Sequence, residues 1–100
     1  MKKRRSLVDK KNRIVKLAET CSWQNLDDYC YIQNVRNGKL FFLKGLACEL
    51  WNGIMSGKSL MCVAMNSITD EIAVSAEDKY QVVERFVEQM QEIGAIKNDA

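Results

Sequence analysis

The stretch that decides the fold is YCYIQNVRNGKLFFL, residues 29–43. Residues 29–35 are rich in aromatic and β-branched side chains, which favour a β-strand. A second apolar run covers Leu40–Leu43, and Asn37-Gly38 lies between the two runs. Asn-Gly between two strand-like segments is the strongest short-range signal for a β-hairpin, because both residues tolerate a positive φ. The sequence therefore predicts an antiparallel pair of strands here.

Helices are predicted after this hairpin, and one more strand before it. The short segment Cys21–Gln24 has strand character. After Gly45 the apolar spacing changes from two to about 3.6, which is typical of an α-helix. The first helix is expected from about Gly45 to Met55, with one apolar face made by Leu46, Ala47, Leu50, Trp51 and Ile54. A second helix of about ten residues is expected after an N-cap at Ser59, with Leu60, Val63, Ala64 and Ile68 on one side and an end near Thr69-Asp70.

A third and longer helix is predicted from Ser75, whose side chain suits an N-cap. Glu77 and Asp78 in its first turn suit the positive end of the helix dipole. Its apolar face consists of Tyr80, Val83, Phe86, Val87, Met90 and Ile93. Gly94 is expected to end the helix, after which Ala95-Ile96 can fold back onto the core.

Three strands followed by three helices predict a small α+β domain rather than a doubly wound sheet, which would alternate strand and helix. Two closely connected helices beside a β-hairpin describe a winged helix-turn-helix, here with a three-stranded antiparallel sheet. This architecture has two principal uses: it reads DNA with a helix in the major groove, or it binds a peptide at the edge of the sheet.

The charge is distributed unevenly along the 100 residues, although the net charge is only +2. Residues 1–16 contain eight basic side chains and one acid, whereas the remaining residues carry a net charge of −5. We therefore expect a basic, partly ordered N-terminal arm over residues 1–20 and a domain over residues 21–97. Such an arm is typical of a flexible tail or of a segment that binds anionic partners.

Several classes of site are excluded by composition. The chain has no histidine, so that catalytic sites built on a Ser-His or Cys-His pair are impossible. The four cysteines, Cys21, Cys30, Cys48 and Cys62, show no C-x-x-C spacing, and they are expected to be buried thiols rather than zinc ligands. We predict no metal, no cofactor and no enzymatic activity.

The apolar runs are too short for a membrane span, and charge interrupts the N-terminal region before a signal peptide could form. We therefore expect a cytoplasmic protein that does not insert into a membrane.

The sequence resembles the PqqD-like family, the RiPP recognition elements, over about residues 21–97. RiPPs are ribosomally synthesised and post-translationally modified peptides. The matching features are a leucine that closes the third strand, a Leu-Trp pair in the next helix, a glycine before the second helix and a Gly-x-Ile ending. They stand here as Gly38–Leu43, Ala47, Leu50-Trp51, Gly57–Leu60, Val63, Phe86–Met90 and Gly94–Ile96.

The resemblance implies a chaperone-like module that binds the leader segment of a precursor peptide by β-strand addition. It would present that peptide to a separate maturation enzyme, a radical enzyme or a cyclase and protease. The leader would pair with the strand edge, and its side chains would enter a groove beside the third helix. The peptide-binding residues predicted on this basis are Lys39, Leu40, Phe41, Phe42 and Leu43 on the strand, Tyr80, Val83, Val87 and Met90 as the groove wall, and Lys79 and Arg85 as rim charges for an acidic leader.

Three other readings stay open from sequence. A winged-helix DNA-binding protein would use the basic arm to contact phosphates. The third helix argues against DNA, because its charged residues, including Glu84, Glu88 and Glu92, give it a net charge of −3. A structural or dimerisation subunit is the second, since an open edge strand invites self-pairing, so that the chain is a monomer or a homodimer. An enzyme is the third and the least supported.

Overall fold

A computed structural model of the chain describes residues 11–68 and 75–97. Its sheet contains β1 (Cys21–Asn25), β2 (Tyr29–Asn34) and β3 (Leu40–Lys44). Three helices follow, α1 (Leu46–Met55), α2 (Leu60–Ser67) and α3 (Ala76–Glu92). The sheet is antiparallel with the order β1-β2-β3. The predicted fold class, a three-stranded sheet followed by three helices, is confirmed.

The β2–β3 hairpin forms where predicted. Gly38 has a φ of 76°, whereas Asn37 keeps a negative φ. The two strands are joined by a four-residue loop, which is closed by Asn34 N–H donating to the Lys39 carbonyl at 2.9 Å. The Asn34 side chain stabilises this loop because its oxygen accepts from Arg36 N–H at 2.9 Å. A loop of this length needs only one residue with a positive φ, and Gly38 supplies it.

Both predicted helix caps are present. Ser59 Oγ accepts from Cys62 N–H at 3.2 Å, and Ser75 Oγ accepts from Asp78 N–H at 3.1 Å. The second helix is shorter than expected, because Ile68 already has extended backbone angles. The end predicted at Thr69-Asp70 lies outside the described residues.

The core lies between one face of the sheet and the three helices. Trp51 is its largest fully buried side chain, and Trp23 packs edge-on against it with ring centroids 6.1 Å apart. Cys30 and Ile32 contribute the buried face of β2. The apolar stripes predicted for the three helices supply most of the rest, as burial of one helical face requires.

The end of α3 leads into a segment that does fold back onto the core, as predicted. Ala95 N–H donates to the Met90 carbonyl at 2.8 Å, and both Ala95 and Ile96 are buried. Ile96 also forms an isolated antiparallel bridge with Leu17. The C-terminal segment therefore pairs with residues of the basic arm.

Part of the predicted basic arm packs against the domain. Val15 is buried, and the Arg13 carbonyl accepts from Leu60 N–H at 3.0 Å. Ala18 N–H donates to the Ala95 carbonyl at 2.8 Å, and Lys97 N–H donates to the Lys16 carbonyl at 3.0 Å. The division of the chain at residue 20 stays a prediction, although residues 13–18 are held by the same core.

Candidate functional site: an open strand edge beside an apolar cleft

The outer edge of β3 carries backbone groups that do not bond to β2. Hydrogen-bonded and non-bonded residue pairs alternate along an antiparallel ladder. Asn34 and Lys39 form a hydrogen-bonded pair. Ile32 and Phe41 lie opposite each other two residues further along, so they form the next hydrogen-bonded pair. The N–H and C=O groups that point away from β2 are therefore those of Leu40, Phe42 and Lys44. Among the described residues no other strand pairs with this edge.

Side chains of β3 alternate between two environments, as the pleat of a strand requires. Leu43 is buried and Phe41 half-buried on the side that faces the helices. Leu40 and Phe42 lie on the opposite side, where they are 47% and 58% exposed. Both faces of this edge strand are therefore apolar, although only one of them packs on the core.

An apolar cleft of about 240 Å³ opens between α1 and α3. The α1 wall consists of Leu46, Ala47 and Leu50, and the α3 wall of Val82, Arg85, Phe86 and Gln89.

The β3–α1 connection sets the position of this cleft. Gly45 has a φ of 59°, which lets β3 turn directly into α1. Leu46 is therefore only two residues beyond the last residue of the edge strand, and it forms part of the cleft wall.

The strand half of the predicted site is brought together at this edge. Leu40, Phe41, Phe42 and Leu43 lie on β3, and Lys39 is exposed immediately before it. Arg85, predicted as a rim charge, lines the cleft. The peptide-binding role of these residues stays a prediction.

The predicted groove wall on the third helix is placed elsewhere. Tyr80, Val83, Val87 and Met90 belong to the buried core, and Val83 and Val87 have no exposed surface. These residues form the inward apolar stripe of α3, so that they hold the helix in place rather than line an open groove. Expecting them to be accessible was wrong.

Lys79 was expected to be an exposed rim charge, and that expectation was also wrong. Only 4% of Lys79 is exposed. The physical reason is its position on the helix, one turn before Val83 and two turns before Phe86, which puts it on the inward side of α3.

Sequence reasoning missed the cleft residues Leu46, Val82 and Gln89. A signal was available, because Val82 is apolar but lies beside the main stripe of its helix, where a solvated residue would be polar. It is 40% exposed, and Leu46 is 43% exposed. Apolar residues that extend a stripe sideways indicate a surface that is open to a partner.

A polar cluster joins the N-terminal segment to α3. Tyr80 Oη donates to the Glu84 carboxylate, and the Arg13 guanidinium lies 3.6 Å from the same carboxylate. Burial raises the pKa of Tyr80 to about 12, and its hydrogen bond to Glu84 acts in the same direction. Lys11 binds Glu77 one turn earlier and lowers the pKa of that carboxyl. These contacts anchor residues 11–13.

The outer face of the sheet is the second exposed surface beside β3. The rings of Tyr29 and Phe42 contact each other at 5.8 Å between centroids. Tyr31 Oη donates to Gln24 Oε1 at 2.9 Å across the β1–β2 ladder. Asp28 and Lys44 border a shallow depression of about 510 Å³ together with Tyr29 and Phe42.

Fold and site together define a small winged-helix domain with an open edge strand beside an interhelical cleft. Two solved structures share this fold. One is TbiB1 in complex with the TbiA(β) leader peptide, with a TM-score of 0.72 and 16% identity over 85% of this chain and 98% of that one. The other is lasso peptide synthetase B1 complexed with the leader peptide, with a TM-score of 0.73 and 21% identity over 86% of this chain and all of that one (100%).

Sequence comparison adds nothing to this likeness: no protein-family model matches the chain, and no curated protein matches it. The resemblance to these two leader-peptide complexes therefore rests on the fold alone. Among the described residues, moreover, no helix has the length and apolar character needed to cross a bilayer.

Proposed function

We propose that this protein binds the leader segment of a ribosomally synthesised precursor peptide by strand addition to β3. The observation that carries the proposal is the open edge of β3 next to the apolar cleft, in a fold shared with two structures that hold leader peptides. Main-chain hydrogen bonds from Leu40, Phe42 and Lys44 would supply affinity with little dependence on sequence. Leader side chains that enter the cleft would supply selectivity.

In this proposal the protein is a non-catalytic partner that presents the peptide to a separate maturation enzyme. The maturation enzyme would be either a radical enzyme or a cyclase and protease. The lack of histidine in the chain supports a binding role. Precursor peptides are made on ribosomes, so that we place the encounter in the cytoplasm.

The cleft predicts what kind of leader is bound. Its walls are mainly apolar, with Arg85 as its charged member. We expect an extended leader segment with large apolar side chains at alternate positions and an acidic side chain near Arg85. Such a segment would satisfy both the strand edge and the cleft.

The experiment that tests the proposal is an amide NMR titration with the short peptide encoded beside this chain's gene. We expect shifts concentrated at residues 40–46 and at the cleft positions of α3. Absence of binding, or shifts confined to α2, would overturn the proposal.

A pair of matched variants sharpens the test. Val82→Glu places a carboxylate in the cleft. A bound peptide would bury this charge, and the cost of removing it from water is expected to weaken binding at least about tenfold. Met65→Glu is the control, because Met65 is similarly exposed on a helix, 47% against 40%, but lies on α2 away from the cleft. Equal affinities for the two variants would contradict a role for the cleft.

DNA binding is not supported by the fold comparison, since both similar structures are complexes with leader peptides. Exposed acids on α3, among them Glu77, Glu88 and Glu92, would also repel phosphates. Retention of the chain on duplex DNA that falls steeply with salt would revive this alternative.

A further inference from the structure

The sheet has a second open edge, along β1. Val35 N–H donates to the Thr20 carbonyl at 2.8 Å, so that the hydrogen-bonded pairs of the β1–β2 ladder fall on the even-numbered residues of β1. The backbone N–H and C=O groups of Trp23 and Asn25 therefore point away from β2. Within the part of the chain that the structure describes, no other strand pairs with this edge.

A cavity of about 320 Å³ opens beside the β1 edge. Trp23 lines it from the strand, Ile54 and Met55 from the end of α1, and Ile14 and Leu17 from the N-terminal segment. Ile14 is 51% exposed, so that the cavity opens to solvent. In a strand added to β1, the residue paired with Trp23 would place its side chain on the same face as the Trp23 ring. One extended segment could therefore bond to the edge and fill the cavity.

This surface is separate from the leader site. β1 and β3 are opposite edges of the sheet, with β2 between them, so that they lie about 10 Å apart. The leader cleft lies at the start of α1 and the second cavity at its end, and no residue lines both. Both edges can therefore be occupied at the same time.

The walls of the second cavity are basic. Residues 11–18 and 50–68, which supply every wall except Trp23, contain no acid. Lys16 lines the cavity, and Lys58 is exposed next to it in the chain after the lining residue Gly57. Neither lysine forms an ion pair with any described residue. The cavity is therefore complementary to an apolar segment that carries acids.

The acids nearest to β1 in the chain lie beyond its two ends. Glu19 precedes the strand and is paired with Lys97 at 3.5 Å, whereas Asp27 and Asp28 lie in the turn that follows it. None of these acids lines the cavity. A second copy of the chain fits this surface poorly, because a two-fold contact brings the same patch of lysines together.

We propose that the β1 edge and its cavity bind the maturation enzyme, through an extended acidic segment of that enzyme with a large apolar side chain opposite Trp23. The inference rests on the proposed function, since a protein that presents a leader needs a surface for the enzyme that the leader leaves free. Main-chain hydrogen bonds to Trp23 and Asn25 supply affinity, as in other cases of strand addition. The apolar side chain enters the cavity, and the acids reach Lys16 and Lys58.

The test is isothermal titration calorimetry of the full chain with the maturation enzyme encoded beside its gene, in the absence of leader. We expect binding that weakens as salt is added. Lys16→Glu and Lys58→Glu should each weaken it about tenfold, because each reverses a charge that faces an acid. Arg36→Glu is the matched control, since Arg36 is an exposed base in the β2–β3 loop, and it should leave the affinity unchanged.

A second pair of variants tests the cavity itself. Ile14→Glu places a carboxylate at the cavity, where a bound segment would bury it, and should weaken enzyme binding at least about tenfold. Met65→Glu is the control, because Met65 is similarly exposed, 47% against 51%, but does not line the cavity. No binding of the enzyme, or equal affinities for Ile14→Glu and Met65→Glu, would overturn the proposal.

A leader titration of the same chains separates this inference from the proposed function. Ile14→Glu and Lys58→Glu should bind the leader as the native chain does. A native chain that binds the leader but not the enzyme would refute only the docking surface, whereas one that binds no leader would refute the proposed function. A native dimer that Ile14→Glu abolishes would assign the β1 edge to a second copy and overturn the proposal.

Discussion

Side chains that are neighbours along this chain differ sharply in how far they are buried, and burial determines their chemical behaviour. Lys79, Tyr80 and Val82 are neighbours on α3, yet the first two are buried and the third opens into the cleft. Cys30 and Tyr80 show what burial does to a titratable group. It raises the pKa of Cys30 to about 12, with the neighbouring Cys48 thiol acting in the same direction, and that of Tyr80 to about 12.

These shifts predict a loss of stability at high pH. A pKa that is raised in the folded state means that the fold favours the neutral group. The resulting contribution to the free energy of unfolding is fully present below the unfolded-state pKa values, 9.0 for Cys30 and 10.0 for Tyr80. It should disappear as the pH rises from about 9 to about 12, because only the unfolded chain can ionise freely in that range. Urea unfolding at a series of pH values measures it.

Tyr80→Phe separates the tyrosine contribution. The variant should be less stable by about 1 kcal/mol at neutral pH, because the hydrogen bond to Glu84 is lost. Its stability should then fall less steeply above pH 10, the unfolded-state pKa of tyrosine. Identical alkaline slopes for the variant and the native chain would show that the pKa of Tyr80 is not raised in the folded state.

The elements of the fold are defined by local signals that act independently of one another. Ser59 and Ser75 cap α2 and α3, and Asn34 fastens the loop between β2 and β3. A cap supplies a partner for a helix N–H group that has none within the helix. Its effect on stability should therefore be local and measurable.

Ser75→Ala and Ser59→Ala should each lower the free energy of unfolding by about 1 kcal/mol. Ser22→Ala is the matched control, because Ser22 is exposed in β1 and caps no helix. Chemical denaturation of the three variants provides the measurement. A control as destabilised as the two cap variants would mean that the loss is not due to capping.

At the scale of the whole molecule, a segment with little pattern of its own completes the core. Residues 13–18 run beside the start of α2 and beside the segment that follows α3, and they bond to both. This connects the two ends of the described chain. The segment is therefore part of the folding unit rather than an appendage.

Val15→Ala tests this integration. Val15 is 3% exposed, so that truncating it should cost about 2 kcal/mol through lost burial and a small cavity. Ile14→Ala should change the stability by less than about 0.5 kcal/mol, because Ile14 is half exposed, 51%, and its truncation leaves no buried void. Equal effects from these adjacent residues would mean that the segment is not packed as described.

The sequence by itself determined the order and type of the elements. Periodicity, the Asn-Gly signal, and the Ser59 and Ser75 caps depend on residues close together in the chain, so that they can be read without a structure. The strand half of the candidate site followed from the resemblance to the PqqD-like family. The apolar character of Leu40–Leu43 on both strand faces supported it, and that character can be read from the sequence.

Only the tertiary structure decided which side of α3 faces the cleft. The buried stripe and the cleft residues differ by about one position along the helix, as Val83 and Val82 show, and apolar character alone does not separate them. The same holds for residues 13–18, whose partners lie at the other end of the chain. Both outcomes depend on how distant elements pack, which local pattern does not encode.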